Sequence, residues 1–486
     1  MNRIISKSVI IAVSVVLIMC LLFAFTRGTT SRSEVTISFD TPFPRTSREY
    51  AQLREILDLF EAGNPYSRTD DREARLHIKV QLNSDAPREP DRILRRIMAG
   101  KAGDIIEMPV NDLSLLAGKA AVLPLGNCLG ENAGEIFSSA LIVGQYEGNC
   151  YALPFRAKSI QLICNVAMLE EAGFNPANAL VNTWDEFIVT CQRIAATKGE
   201  GRYPLAVDGA EGDSPARLAV MLIAQAGGTV VMKEAPTDGE PQLWRMGIGS
   251  EESVRGLEQL QKLSVSMPPC SNWSREDLLR EFMAGRIAMI FSDAEALSCI
   301  RAGAPHLRVQ AYEAPVDRAY GSSVEFYGTA VTAPVTHHPE RFQACLRLIT
   351  WLCDLDAQRM ILTGGSSELP AFAPVSRDLL NHAWYDRHPE YKPFLKALGY
   401  PVGYHSVAGW PEVQRQVFLP EVRKVLQGSR SGRESASVMQ SKGNLVLSTF
   451  YGYIGHISET TVLGMSAMAV GIFFLVFFAV GHHPRR

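Results

Sequence analysis

The sequence lacks the short motifs by which many enzyme families are recognised. It contains no Gly-x-Ser-x-Gly nucleophile elbow, no phosphate-binding P-loop, no His-Glu-x-x-His zinc motif and no glycine-rich dinucleotide fingerprint. It also has no Cys-x-x-Cys pair and no Cys/His spacing typical of a zinc site. Two adjacent histidine pairs, at 337–338 and 482–483, have no further ligands at metal spacing. We therefore expect no catalytic residues, no metal site and no cofactor.

An excess of basic residues is also missing. Lys and Arg number 48 against 51 Asp and Glu, which gives a formal charge of −3, and no basic cluster stands out. Nucleic-acid binding needs a net basic surface, so we do not expect nucleic acid as a partner. The chain has 486 residues, of which 47% are hydrophobic, and it contains no internal repeat or low-complexity tract. This length suits two large domains or about three smaller ones.

Two segments without charged residues lie near the chain ends. Residues 8–25 and 461–480 each approach the roughly 20 apolar residues that cross a bilayer. The first lies in a region, residues 1–33, that we interpret as a signal peptide or an uncleaved signal anchor followed by a linker. Lipidation at Cys20 is an alternative. The second predicts a transmembrane helix, and the basic residues in 481–486 predict a cytoplasmic tail. The main body is then expected at the cell membrane, outside the cytoplasm.

Nine cysteines occur, one of them in the first apolar segment. An even number in an exported body permits disulfides without fixing their pairing. Cys345 and Cys353 lie on one predicted helix, and eight residues of helix span about 12 Å, which is beyond disulfide reach. Cys164 falls in an apolar strand pattern, so we expect a buried free thiol there.

The body of the chain alternates strand and helix patterns. Alternating apolar residues in 34–40 predict a strand, an amphipathic stretch ending at Gly63 predicts a helix, and 76–82 predicts the next strand. A helix and a strand follow before residue 107, so the first sheet should be mostly parallel. A second series of strands and helices begins near Tyr151. We therefore predict an α/β protein with two lobes.

Residues 274–297 illustrate the second lobe. Ser274 and Asp277 have the spacing of a capping box at the start of a helix, and Gly285 suits the left-handed residue that ends it. The apolar run 287–291 predicts a buried strand. That strand stops abruptly at Asp293, and a buried strand that ends at a carboxylate often opens into a cleft.

Several short motifs occur in an order that resembles a known family. They are Phe60-Glu61 followed by Asn64-Pro65, Asp104-Ile105-Ile106 with Leu123-Pro124-Leu125, Tyr151-Ala152-Leu153-Pro154, Cys164-Asn165, Thr183-Trp184-Asp185-Glu186, and Arg286-Ile287-Ala288-Met289. In this order, over about residues 35–447, they resemble the extracellular solute-binding proteins of ABC transporters, family 1, which contains many sugar-binding receptors. Two departures are the apolar segment at the C-terminal end and Ser292-Asp293-Ala294, where sugar-binding relatives often place a tryptophan.

The resemblance implies a two-lobed periplasmic-binding-protein-like fold of type II, with a hinge and a ligand cleft between the lobes. We expect residues 34–150 and 316–364 to form lobe 1, and residues 151–315 and 365–455 to form lobe 2. The implied function is a membrane-tethered receptor of an ABC importer that captures a sugar or similar small polar solute, with ABC permease subunits as partners. The alternative is a membrane-anchored sensing or protein-interaction module on the same scaffold.

The resemblance also implies which residues contact the ligand. Nine candidates follow strands or hinge segments where the family binds its solute: Phe43, Glu107, Asn111, Asp112, Arg156, Lys158, Asp293, Glu295 and Tyr327. Structural roles remain open for several of them. Phe43, between two prolines, also suits a rigid exposed turn, and Glu107 suits a solvated loop. Lys158 also suits a salt bridge across the hinge, and Asp293 a simple cap at a helix N-terminus.

Overall fold

The computed structural model describes residues 34–63, 77–127, 129–175, 182–197, 201–209, 214–233, 244–402, 407 and 409–456. The two apolar segments predicted to cross the membrane, and the predicted cytoplasmic tail, lie outside these residues. Within the described ranges, no helix combines the length and the apolar character that a membrane span requires.

The strands follow the α/β order that the sequence predicts. They are β1 (Glu34–Asp40), β2 (His77–Asn83), β3 (Ile105–Pro109), β4 (Gln145–Tyr146), β5 (Asn149–Cys150), β6 (Leu153–Ser159), β7 (Gln161–Asn165), β8 (Tyr203–Ala206), β9 (Val231–Lys233), β10 (Trp244–Met246), β11 (Ile287–Ser292), β12 (Val309–Tyr312), β13 (Ser322–Val331), β14 (Ala373–Pro374) and β15 (Pro401–Val402).

The α-helices alternate with these strands through both halves of the body. They are α1 (Arg48–Gly63), α2 (Pro90–Met98), α3 (Leu113–Gly118), α4 (Ser138–Val143), α5 (Val166–Glu171), α6 (Trp184–Thr197), α7 (Ser214–Gln225), α8 (Glu251–Ser264), α9 (Arg275–Met283), α10 (Ala294–Gly303), α11 (Pro339–Trp351), α12 (Leu355–Thr363), α13 (Lys392–Lys396), α14 (Trp410–Val413), α15 (Leu419–Leu426) and α16 (Gly432–His456). Short 3₁₀ turns connect several of them, among them Val110–Asp112 directly after β3.

The first sheet has the strand order β14-β6-β13-β3-β1-β2, and β15 pairs with β13. β1 is parallel to both β2 and β3, with Asp40 opposite Asn83 on one side and Ile106 on the other. β13 runs antiparallel to β3 and β6. The carboxyl ends of β1, β2 and β3 therefore meet at one edge of this sheet. The prediction of a mostly parallel sheet is correct for these three strands and wrong for β6, β13 and β14, which join it by antiparallel pairing.

The second sheet has the order β12-β7-β11-β8, in which β8 is parallel to β11 and β7 is antiparallel to it. All six residues of β11 are buried, as expected for the apolar run at this position. The sheet separates two apolar clusters: Ile290 packs into the core shared with the first sheet, and Phe291 into the core of the second lobe. A strand covered on both faces has no room for the alternating polar residues of an edge strand.

The chain crosses from the first sheet to the second at Ile160, between β6 and β7. We expected the second lobe to begin at residue 151, but β6 pairs with β13 from Leu153 to Ser159. The short strand β14, expected in lobe 2, also pairs with β6 in the first sheet. The difference arises because strand pairing joins residues far apart in sequence, which a local motif does not reveal. The remaining lobe boundaries stay a prediction.

Local signals in the sequence predicted several helix ends correctly. The Ser274–Asp277 capping box is present at the start of α9, and Gly285 adopts a left-handed φ of 70° after its end. Thr183 and Glu186 also form a capping box at the start of α6, because the Glu186 amide donates to Thr183 Oγ1 over 3.3 Å and the Thr183 amide donates to Glu186 over 3.2 Å. Cys164 is a buried free thiol, and burial raises its pKa well above the usual value.

Candidate functional site

Five of the nine predicted residues lie together on one face of the first sheet. We call the cluster formed by Phe43, Glu107, Arg156, Lys158 and Tyr327, together with Phe372, the first-lobe wall. Tyr327 on β13 lies between Pro109 of β3 and Arg156 of β6 in register. Because side chains alternate along a strand, residues two apart on β3 and β6 point to the same side. The sheet therefore brings Glu107, Arg156 and Lys158 onto the face that carries Tyr327.

A buried ion pair forms the centre of this wall. Nε of Arg156 donates to Oε1 of Glu107 over 2.7 Å, and both side chains are 0% exposed. The hydroxyl of Thr41 donates to the other oxygen of Glu107 over 2.6 Å. Cζ of Arg156 lies 4.1 Å from the ring centroid of Phe372. Two opposite charges removed from water are stable only with such close partners, so neither group is left uncompensated.

The aromatic residues of the wall pack around this ion pair. The ring centroid of Phe43 lies 5.6 Å from that of Tyr327 and 5.5 Å from that of Phe372. Phe43 is buried, so it does not occupy the exposed turn that its flanking prolines also allowed. Tyr327 is buried too, and burial followed by the nearby Glu325 raises the pKa of its hydroxyl well above its usual value. It therefore remains neutral at physiological pH.

Lys158 extends the wall towards helix α1. Its ammonium lies 3.0 Å from Oε1 of Glu49 and 5.0 Å from the ring centroid of Phe372. Burial alone would raise the pKa of Glu49, but Lys158, a backbone hydrogen bond and Arg156 together lower that pKa. The salt bridge that the sequence suggested for Lys158 thus exists, although its partner belongs to α1 and the bond does not cross the hinge.

Asn111 and Asp112 occupy the 3₁₀ turn that follows β3, where both are partly exposed. They lie at the carboxyl end of β3, a few residues after Glu107 of the first-lobe wall. Their assignment as ligand contacts remains a prediction.

Asp293 and Glu295 lie in the second lobe, at the start of α10. Asp293 caps this helix, since its Oδ1 accepts a hydrogen bond of 3.1 Å from the amide of Ala296. The same oxygen lies 2.6 Å from Nη2 of Arg275, which also donates to Glu295. The cap that we considered as an alternative is therefore real, and it coexists with an ion pair.

Asp208 is a further carboxylate at this edge, and it was missed in the sequence. It follows β8, whose Ala206 lies opposite Ile290 of the parallel strand β11, so Asp208 and Asp293 come from neighbouring strand ends. We call Asp208, Arg275, Asp293 and Glu295 the second-lobe wall. The signal was a short apolar strand stopped by Asp-Gly, similar to the stop after β11, but the polar, Gly-bearing residues around it are typical of a loop.

The pKa values of Asp208 and Asp293 shift in opposite directions. Burial opposes ionisation of Asp293, but Arg275, then Lys158 and Arg217, lower its pKa far below the usual value. Burial raises the pKa of Asp208, and the nearby Asp293 raises it further, against the hydrogen bond from Ser214 and the charge of Arg275. Because Lys158 belongs to the first-lobe wall, its effect on Asp293 shows that the two walls influence each other electrostatically.

Helix α7 holds the two crossover strands. Arg217 Nη2 donates to the carbonyl oxygen of Lys158 over 2.7 Å, and Gln225 Nε2 donates to that of Gly321 over 2.6 Å. Gln161, the first residue after the crossover at 160, donates to Ser322 Oγ over 2.9 Å. These hydrogen bonds join the second lobe to both strands that connect the sheets. Any change in the angle between the lobes must therefore stretch or break some of these hydrogen bonds.

Among the described residues, no three or more His, Cys, Asp or Glu side chains are grouped as they would be to hold a metal ion. The first-lobe wall instead has charged and aromatic side chains on β3, β6 and β13, and the second-lobe wall has carboxylates at the ends of the parallel strands β8 and β11. In open α/β folds, ligands bind outside the carboxyl ends of the strands. An arrangement of this kind can hydrogen-bond a polar solute and cover its apolar faces with aromatic rings.

Comparison of the sequence with known proteins gives a family match. A family model described as bacterial extracellular solute-binding protein matches residues 69–393. Curated relatives include putative binding proteins of Brucella abortus and Brucella suis, each 21% identical over 287 residues. These alignments cover 58% of this chain and 64% of each relative, so the chain spans less than two thirds of the length of these relatives.

Solved structures share the fold at low sequence identity. The GacH receptor of Streptomyces glaucescens, determined unliganded and with acarbose, is 16% identical at a TM-score of 0.66, covering 86% of this chain and 99% of the receptor. An ABC transporter solute-binding protein of Thermotoga lettingae, bound to alpha-D-tagatose, is 19% identical at a TM-score of 0.65, covering 85% and 100%. UgpB of Mycobacterium tuberculosis, in complex with glycerophosphocholine, is 16% identical at a TM-score of 0.66, covering 85% and 99%. These likenesses confirm the two-lobed periplasmic-binding-protein-like fold.

Proposed function

This chain belongs to the bacterial extracellular solute-binding proteins, and we propose that it is the solute receptor of an ABC importer. The match confirms the resemblance found in the sequence, and the family consists of solute-binding proteins rather than enzymes. We propose that the protein captures a sugar or a similar small polar solute in a cleft between the first-lobe and second-lobe walls. The receptor would then present its closed form to ABC permease subunits.

One observation carries this proposal. Arg217 of α7 donates to the carbonyl oxygen of Lys158 over 2.7 Å, so the first-lobe wall is joined directly to the lobe that carries Asp208 and Asp293. Polar groups joined in this way across two sheets mark the place where a solute can contact both lobes at once. Closure around the solute excludes water and strengthens each polar contact. The sugar ligands of the GacH and Thermotoga proteins support a carbohydrate as the solute class.

The proposed tether rests on the apolar residues 461–480 and the basic residues that follow them. It places the two lobes on the extracytoplasmic side of the cell membrane. A cysteine introduced at residue 484 should react with a membrane-impermeant reagent only after the cells are permeabilised. Equal labelling in intact cells would contradict this topology.

A thermal-shift panel tests the solute class. The full chain in detergent is heated with neutral sugars, polyols and polyamines at increasing concentrations. A bound solute stabilises the folded state by RT ln(1 + [L]/Kd), which is about 2.7 kcal/mol at a hundredfold excess over Kd. At least one sugar or polyol should raise the unfolding temperature with this dependence. If no member of the panel raises it, the proposed solute class is wrong.

A further inference from the structure

The second-lobe wall contains a buried carboxylate that the fold leaves partly unsatisfied. Asp208 is 3% exposed, and within the described part of the chain its Oδ1 has no hydrogen-bond partner. Its carboxylate receives a hydrogen bond from Ser214, at the start of α7. A buried acceptor without a partner loses its hydration and gains nothing in exchange, so such atoms are rare and call for an explanation.

Asp293, in the same wall, has hydrogen-bond partners of the kind that Oδ1 of Asp208 lacks. It also follows a strand of the second sheet, and it is also buried. Its Oδ1 accepts from the amide of Ala296 over 3.1 Å and from Arg275 over 2.6 Å. The fold thus supplies two donors to this oxygen of Asp293. The Oδ1 of Asp208, which follows the parallel neighbouring strand, has no donor among the described residues, in a wall where ligands are expected.

We infer that Asp208 is a specificity-determining residue, whose free Oδ1 accepts a hydrogen bond from a hydroxyl group of a neutral, polyhydroxylated solute. This inference rests on the proposed function and narrows it. Arg275 already supplies a positive charge that acts on Asp208. The Oδ1 atom therefore lacks a donor, whereas the carboxylate does not lack a counterion, so a neutral hydroxyl suits it better than an ammonium group.

Helix α7 connects this carboxylate with the crossover strands. Ser214, the hydrogen-bond partner of Asp208, is the first residue of α7. Arg217, one turn later, donates to the carbonyl oxygen of Lys158, and it also lies close enough to Asp293 to lower the pKa of that carboxylate. A solute hydroxyl on Asp208 would therefore bind next to the helix that holds the hinge.

The experiment compares two isosteric substitutions, Asp208→Asn and Asp293→Asn, in the full chain. Without any solute, Asp208→Asn should raise the unfolding temperature at pH 7, because it removes a buried charge with an unpartnered oxygen. Asp293→Asn should lower it, because it breaks the ion pair with Arg275 while an Asn cap is retained. A polar group that serves ligand binding often lacks a partner in the unliganded fold, so its replacement is expected to raise the unfolding temperature, as predicted for Asp208→Asn.

The gain in Asp208→Asn should depend on pH with a definite sign. Folding raises the pKa of Asp208, so the wild type loses stability as pH rises above the unfolded pKa of about 3.9. The groups that face Asp208 are Arg275 from α9, Asp293 before α10 and Cys270. The difference between Asp208→Asn and wild type should therefore be largest near pH 7 and vanish at pH 3.

The binding arm uses the neutral sugars, polyols and polyamines of the thermal-shift panel as probes. For a sugar or polyol that binds the wild type, Asp208→Asn should weaken the affinity by roughly tenfold, because a charged acceptor is replaced by a neutral one. A sugar or polyol whose affinity is unchanged in Asp208→Asn overturns the inference, and so does binding of polyamines alone. If no probe binds the wild type, the proposed solute class is wrong. The unfolding temperature of unliganded Asp208→Asn then still tests whether the Asp208 carboxylate is structural. A lower unfolding temperature of unliganded Asp208→Asn would show that the carboxylate is structural and overturn the inference.

Discussion

The two walls of the proposed cleft use the same kind of residues in different ways. Each cation of the first-lobe wall has its own carboxylate: Arg156 is paired with Glu107 of the same wall, and Lys158 with Glu49 of α1. In the second-lobe wall, the single guanidinium of Arg275 serves Asp293 and Glu295. Asp208 remains beside them with an unpartnered oxygen in the described structure.

This difference indicates which wall still has hydrogen-bond acceptors available for a solute. The first-lobe wall packs a buried ion pair against aromatic rings, so its carboxylate has a cation before any solute arrives. Four of the predicted ligand contacts, Phe43, Glu107, Arg156 and Tyr327, are buried in this wall. The second-lobe wall has more acceptors than donors. A solute that donates hydrogen bonds is therefore expected to gain most from the second lobe.

The largest effect is expected when a substitution breaks the ion pair between Arg156 and Glu107 in the first-lobe wall. Arg156→Met leaves Glu107 charged and buried without a partner, so the free energy of unfolding should fall by about 3–5 kcal/mol. Urea denaturation at pH 7 measures the change. The double variant Arg156→Met with Glu107→Leu should recover most of the loss, because it removes both charges.

The matched control for this variant is Arg280→Met, which removes an exposed arginine that pairs with Asp277 on the surface of α9. It should leave the unfolding transition almost unchanged. If Arg156→Met is no more destabilising than this control, the first-lobe wall does not depend on its ion pair, and the contrast between the walls is lost.

The second effect concerns the shared guanidinium. Arg275→Met should lower the free energy of unfolding at pH 7 by about 2 kcal/mol, since it removes the partner of two carboxylates but leaves the cap on α10 in place. Urea denaturation at pH 7 and pH 3 measures this loss.

The loss in Arg275→Met should also depend on pH. The pKa of Asp293 is lowered in the folded protein. Its stabilisation is therefore present above the unfolded pKa of about 3.9 and is lost as pH falls towards the folded value. The difference between the variant and the wild type should shrink at pH 3. A difference that stays the same at both pH values would show that Arg275 acts through packing alone.

The smallest effect concerns the outer pair of the first-lobe wall. Lys158→Met breaks the contact with Glu49, and because these side chains keep 12% and 11% of their surface exposed, unlike the fully buried pair of Arg156 and Glu107, we expect a smaller loss of about 1 kcal/mol. Lys79→Met, which removes an exposed pair with Glu34, serves as the control. The pKa of Asp293 should rise in the Lys158 variant and stay constant in the control. Equal Asp293 pKa values in the two variants would remove the electrostatic link between the walls.

Much of this architecture was predictable because its signals are local. The helix α9, the turn at Gly285 and the buried strand β11 each follow from residues within a few positions of one another. The same holds for the cap formed by Asp293, which sits directly before its helix. Such features depend on backbone hydrogen bonds and side-chain periodicity, and both can be read from a short window of sequence.

Other features depend on contacts between distant residues and were not predictable in this way. The pairing of Leu153 with Thr329 places β6 in the first sheet, although the motif at 151–154 suggested a lobe boundary. The partner of Lys158, Glu49, lies on a helix more than a hundred residues earlier. Asp208 was missed because its role depends on the parallel pairing of β8 with β11, and its flanking residues are typical of a loop.

The central claim is that the two walls close on a solute, and the distance between the lobes tests it most directly. Donor and acceptor dyes can be attached at positions 98, on α2, and 265, after α8, where Met98 and Val265 are 76% and 86% exposed. Non-natural amino acids at both positions would spare the nine cysteines. Energy transfer should change in a saturable manner with a sugar or polyol, and the midpoint should shift to higher concentration in Asp208→Asn. A solute that raises the unfolding temperature without any change in energy transfer would contradict the account.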